Sequence, residues 1–123
     1  NTLSGGEQRR VHFARTLLQI DHQYDSIGNR YMFLDEPTAN LDLLFELQLI
    51  RLLKAKAEKG IGVLLIIHDL NLASKFSDKI AILKKGKLSA FGEPFEVFKS
   101  KTLSDIFGLA MDVDLKTLKV TYY

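Results

Sequence analysis

Three stretches carry side chains that can do chemistry together. The first is Tyr31-Met32-Phe33-Leu34-Asp35-Glu36-Pro37, an apolar run closed by two adjacent acids. Asp35 suits a Mg²⁺ ligand, directly or through water, because that ion takes few carboxylates and keeps several waters. Glu36 suits a general base that polarises an attacking water. The plainer reading is a strand end meeting solvent, stopped by Pro37. The second is His68, which directly follows the apolar run Val63 to Ile67, about 30 residues beyond the acids. That separation fits one crossover helix between parallel strands, which would set His68 beside Asp35 and Glu36. There it can donate to a phosphate oxygen and orient the water, although a lone histidine at a strand end is usually structural.

The third stretch is Leu3-Ser4-Gly5-Gly6-Glu7-Gln8. Ser4 and Glu7 have the spacing of a capping box. The glycines are not explained by it, since each costs a helix roughly 1 kcal/mol relative to alanine. A phosphate docked on the helix N-terminus would require them: no side chain blocks it, and the free N–H groups and the helix dipole favour its charge. Thr38-Ala39-Asn40-Leu41-Asp42 reads as a turn and an N-cap. His12, and His22 with Asp21 and Asp25, read as ordinary surface residues.

The elements that must position these groups follow from periodicity. Ser4 to Ile20 has apolar residues at helical spacing (Val11, Ala14, Leu17, Leu18). Asp21 to Arg30 is a polar loop. Tyr31 to Leu34 and Val63 to Ile67 are continuous apolar runs, as expected of strands buried on both faces of a parallel sheet. Between them Asp42 caps a helix over about Leu43 to Lys59, and Gly60 and Gly62 stop it. A short helix is expected over Asp69 to Phe76. Two strands, Lys79 to Leu83 and Lys87 to Phe91, flank Lys85-Gly86, a hairpin signal. Short helices over Pro94 to Lys99 and Thr102 to Phe107 precede a closing hairpin of Val113 to Leu115 and Leu118 to Tyr122. Alternating strands and helices predict an α/β fold with its chemistry at strand C-terminal ends.

Composition narrows the function classes. With 123 residues and 17 Lys+Arg against 15 Asp+Glu, the chain is one domain's worth at net charge +2. No basic stripe with interleaved aromatics argues for nucleic acid. The absence of cysteine excludes a disulfide framework, a thiol nucleophile and Cys-ligated zinc. No apolar run approaches the roughly 18 residues of a membrane helix. The composition reads as a soluble intracellular domain. The chain opens on Asn1 rather than Met, which reads as part of a longer protein.

Taken together, the residues resemble the ATP-binding cassette (ABC) ATPase family. Leu3-Ser4-Gly5-Gly6-Glu7-Gln8 matches its signature motif, and Phe33-Leu34-Asp35-Glu36-Pro37-Thr38 its Walker B motif with the catalytic glutamate. Ala39-Asn40-Leu41-Asp42 matches the D-loop and His68-Asp69 the switch histidine, in the family's order. The resemblance implies a P-loop NTPase-like sheet with flanking helices, ATP and Mg²⁺ as ligands, and a head-to-tail pair of nucleotide-binding domains. It implies that Ser4, Gly5, Gly6 and Gln8 serve ATP held by the partner domain, and that Asp42 communicates across the pair. Asp35 would hold the metal, with Glu36 and His68 catalytic toward this chain's own nucleotide. His68-Asp69-Leu70-Asn71-Leu72-Ala73, Gly92-Glu93-Pro94 and Thr102 to Phe107 look like the importer ATPases for iron-siderophores, vitamin B12 and hemin. The long Asp21 to Arg30 segment and Leu43-Leu44-Phe45 are similar to the hemin group. Membrane permease subunits would be partners, with no nucleic acid and no direct contact with the transported ligand, at the cytoplasmic face of the membrane.

One departure matters. No G-x-x-x-x-G-K-[ST] phosphate loop occurs: Gly86-Lys87 is followed by Leu88, and Ala81 stands where the first glycine belongs. The expectation is therefore the C-terminal, truncated part of a nucleotide-binding domain, spanning residues 1–123, that binds Mg-ATP weakly alone and does not turn it over. Two alternatives stay open. One is a soluble ABC ATPase of translation or DNA maintenance. The other is a non-catalytic module lending its signature helix to a partner.

Overall fold

A computed structural model describes residues 4–21, 29–39 and 41–123. The chain forms two compact units, Asn1–His68 and Asp69–Tyr123. The first contains α1 (Gly5–Asp21), β1 (Tyr31–Asp35), α2 (Leu43–Glu58) and β2 (Gly62–Ile66). β1 and β2 pair in parallel from Tyr31↔Gly62 to Asp35↔Ile66. α2 is the crossover between them that the spacing predicts.

Asp42 starts α2: its carboxylate accepts the Phe45 backbone N–H at 3.0 Å. The helix ends at Lys59-Gly60, where Gly60 takes a φ of 86°, a left-handed conformation that costs glycine nothing. Gly62 plays another part than the stop signal expected of it. It is the first residue of β2, and a Cβ there would run into the Tyr31 ring. The small residue is needed for cross-strand packing rather than for ending a helix.

Side chains alternate across a strand, and here the alternation sorts the apolar residues into two rows. Met32, Leu34, Val63 and Leu65 join a core with Leu49, Leu53 and Ile61, against which Phe13 of α1 packs. Tyr31, Phe33, Leu64 and Ile66 are exposed. The expectation of burial on both faces is therefore corrected: among the described residues, helices cover one face of this sheet and leave the other bare.

The second unit contains α3 (Leu70–Phe76), β3 (Ile80–Lys84), β4 (Lys87–Gly92), α4 (Pro94–Val97), α5 (Ser100–Phe107), β5 (Met111–Val113) and β6 (Val120–Tyr122). Asp69 caps α3, accepting from Asn71 and Leu72 backbone N–H groups at 2.7 and 2.9 Å. β3 and β4 form the antiparallel hairpin expected around Lys85-Gly86. Both turn residues have positive φ, 50° and 72°, as the tight turn that matches strand twist demands. The closing hairpin also forms, but β5 lies two residues earlier than its apolar pattern suggests. Asp114 turns the chain out of β5 instead. Its carboxylate accepts the backbone N–H groups of Thr117 and Lys116, which hold it below the usual carboxylate range. Phe98 and Leu103 are fully buried at the centre of this unit's core. Among the described residues no helix is long and apolar enough to cross a membrane.

Candidate functional site

β1 delivers Asp35 to its C-terminal end, where the carboxylate is exposed. Glu36 follows, one residue beyond the strand. Its N–H donates to the Ile66 carbonyl at 3.0 Å, continuing the ladder by one step, and its carbonyl accepts from Ala39 at 3.1 Å. That tight turn over Pro37 and Thr38 forces Glu36 to a φ of 44°. A left-handed backbone at a glutamate before a proline is disfavoured twice over, by its own Cβ and by the proline ring.

β2 runs beside β1 and brings His68 to the same end. His68 Nε2 lies 2.6 Å from Glu36 Oε1. With Glu36 ionised, the ring N–H donates to the carboxylate. The side chains are 82% and 44% exposed respectively, so the contact adds at most about 1 kcal/mol to stability. It fixes orientation instead, and a ligand can displace it at small cost. Of the two acids expected beside the histidine, Glu36, 32 residues away, is the one in contact with it.

α1 forms the opposite wall. His12 and Phe13 face Leu34, Asp35, Glu36 and Pro37 across an open groove of about 480 Å³. Sequence reasoning treats His12 as an ordinary surface residue. Val11 and Leu18, which recur at helical spacing on α1, are exposed, so that stripe does not say which side faces the acids.

The remaining candidates serve local caps. Ser4 and Glu7 form the expected box: the Ser4 backbone N–H and hydroxyl donate to Glu7 Oε2 at 2.8 and 2.7 Å. Gln8 is exposed, and its backbone N–H bonds the Ser4 carbonyl at 2.9 Å. A Cβ added to Gly5 or Gly6 would meet nothing within 4 Å. Packing within the described residues therefore gives no reason for either glycine. Asp42 caps α2. Leu3, His22, Asp25 and Asn40 lie outside the described residues.

No protein-family model matches the chain. Relatives are nonetheless clear. Over 113 residues, 92% of this chain, it is 42% identical to the hemin import ATP-binding protein HmuV of Rhodopseudomonas palustris, of which the match covers 42%. The protein of that name in Bradyrhizobium diazoefficiens is 45% identical over 106 residues, 86% of this chain and 40% of that one. Among solved structures, an inward-facing metal-chelate type ABC transporter superposes with a TM-score of 0.73 over 98% of this chain and 47% of its own. At 24% identity that likeness speaks for the fold alone. CbiO1 from Clostridium perfringens, part of the ABC transporter complex cbiONQ, gives a TM-score of 0.59 at 30% identity, over 84% of this chain and 38% of its own.

The fold and the sequence thus relate this chain to the ATP-binding subunits of ABC transporters, as the motifs imply. Within that class its curated relatives are hemin import ATP-binding proteins. The chain spans about two fifths of their length.

Proposed function

We propose that the chain supplies the hydrolytic acids and the signature helix of an ABC importer ATPase, which couples ATP hydrolysis to uptake of hemin or a related iron chelate. The observation that carries this is Glu36 held 2.6 Å from His68 beside Asp35, at the ends of two paired parallel strands.

Asp35 is one exposed carboxylate at a strand end, which fits Mg²⁺ because that ion takes one or two carboxylates and fills its remaining positions with water and phosphate oxygens. Bound there, the metal would neutralise charge on the phosphates. Glu36 accepts the proton of the water that attacks the γ-phosphorus, while the β–γ bridging oxygen leaves on ADP with the bond's electron pair. His68 swings from Glu36 to donate to a γ-phosphate oxygen and keeps the water in line. Ser4, Gly5, Gly6 and Gln8 present a helix N-terminus without Cβ obstruction, a fit for the γ-phosphate and ribose of ATP held by a second nucleotide-binding domain. Asp42 lies on the D-loop, where the two domains communicate. Membrane permease subunits are the other partners, and the complex sits on the cytoplasmic side of the membrane. The transported ligand is not touched.

Phosphoryl transfer depends on positioning the phosphates, and the chain has no Walker A sequence. Alone it is therefore inactive. The test replaces the matching segment of the Rhodopseudomonas palustris protein with these 123 residues and measures steady-state phosphate release. Release is expected from the chimera, falling at least about 100-fold in Glu36→Gln as a general base is lost. The isolated chain should release no more than its own Glu36→Gln control. Equal rates in the chimera and its Glu36→Gln variant would overturn the assignment.

A further inference from the structure

His68 has to leave Glu36 for a phosphate oxygen without losing its place, and little besides the backbone holds it. Its side chain is 82% exposed, and its one polar contact among the described residues is Glu36. β2 ends at Ile66, two residues before it. On the other side the chain passes directly into Asp69 and α3, and that anchor is dense. The Asp69 carboxylate accepts the Asn71 and Leu72 N–H groups, and its carbonyl accepts from Ala73 at 3.0 Å. Ser74 Oγ donates to the Asn71 carbonyl at 3.1 Å. Leu70 and Ala73 pack α3 on the second core. Apolar contacts are non-directional, so by themselves they let a two-turn helix roll. Asn71 removes that freedom. Its carboxamide oxygen accepts the Val120 N–H at 2.8 Å, and its Nδ2 donates to the Val120 carbonyl at 3.4 Å, across 49 residues of sequence. Val113 and Val120 are register partners, yet both N–H groups point out of the hairpin: that of Val113 goes to Ser100 Oγ at 2.9 Å. One side chain thus takes the place of a third strand beside β6.

We propose that Asn71 is a positioning residue for His68. By tying the first turn of α3 to the outer edge of β6, it fixes the backbone from which the imidazole swings between Glu36 and a phosphate oxygen. The inference rests on the functional reading above for what His68 does, and on the Asn71–Val120 contact for how it is held. Misplacing a reacting group by about 1 Å can cost about 100-fold in rate, so a side chain that never touches the nucleotide can still set that rate.

The chimera provides the test, with the isolated chain beside it. Asn71→Ala should lower kcat for phosphate release at least about tenfold and keep KM for ATP within about twofold, because the aim of the ring matters only in the transition state. Asn71→Asp keeps the acceptor of the shorter bond and should recover most of the rate. Val120→Pro removes the N–H donor on an edge that carries no ladder bond. It should reproduce the loss and add nothing to it in the double variant, as expected of two changes that break one contact. In the isolated chain, Asn71→Ala should move the ¹⁵N signals of the His68 ring to where Glu36→Ala puts them. Leu103→Ala is the control: it weakens the same unit without removing either hydrogen-bonding group, and should keep both kcat and the ring signals. An Asn71→Ala chimera as fast as its parent, or His68 signals that do not move, would overturn the inference. So would an equal loss in Leu103→Ala, which would reduce Asn71 to a stabilising contact. A chimera indifferent to Glu36→Gln would instead remove the functional reading. The ring signals need no nucleotide and would still decide whether Asn71 holds His68.

Discussion

At Glu36 a left-handed backbone, which costs an L-residue roughly 1–2 kcal/mol, coincides with the side chain that contacts His68. The exposed contact returns no more than about 1 kcal/mol, so it does not offset the strain. The turn closed by Ala39 and the extra rung to Ile66 must hold the conformation. Substitution separates these contributions. Glu36→Ala keeps the strained Cβ and loses the contact, whereas Glu36→Gly loses both. Glu36→Gly should therefore be the more stable of the two by about 1 kcal/mol, measured by urea unfolding of the isolated chain. Equal midpoints would mean that the turn relaxes and stores no strain. The strain is illegible from sequence, because Asp-Glu-Pro ordinarily reads as extended chain. The pairing of Glu36 with His68 is legible, since two apolar runs joined by one helix leave few other ways to arrange the acids and the histidine.

Among the elements, α1 begins with a capping box that works and two glycines that the described packing does not use. A helix under selection for stability alone would carry alanine there. Gly5→Ala and Gly6→Ala should each raise helix stability by up to about 1 kcal/mol, seen as slower amide exchange along α1. In the chimera the same changes should lower phosphate release, because each Cβ would stand where the proposed function docks the partner's phosphate. Faster exchange, or undiminished release, would remove the argument that a ligand selects the glycines. The strands teach the complementary lesson. Their existence and parallel pairing follow from composition and spacing, but the Tyr31 to Leu34 run cannot say whether one face or both are covered. Alternation marks a half-buried strand only when the outer row is polar. Here Tyr31 and Phe33 make the bare row as apolar as the core row.

For the molecule as a whole, the organisation follows from two cores that share no residues. The division falls between His68, which contacts Glu36, and Asp69, which caps α3. Site and scaffold thus change hands at one peptide bond, a point the sequence conceals because His68-Asp69 reads as one motif. A cavity in either core should be felt by its own unit. Leu103 is fully buried in the second core and Leu53 nearly so in the first. A Leu→Ala change at either site should cost about 3 kcal/mol. Leu103→Ala should speed amide exchange in β5 and β6 by roughly 100-fold and leave Met32 and Val63 unchanged. Leu53→Ala should do the reverse. If either change speeds exchange in both units equally, the chain unfolds as one cooperative body, and the Asp35 end of β1 depends on the packing of Phe98 and Leu103 as well as on its own helices.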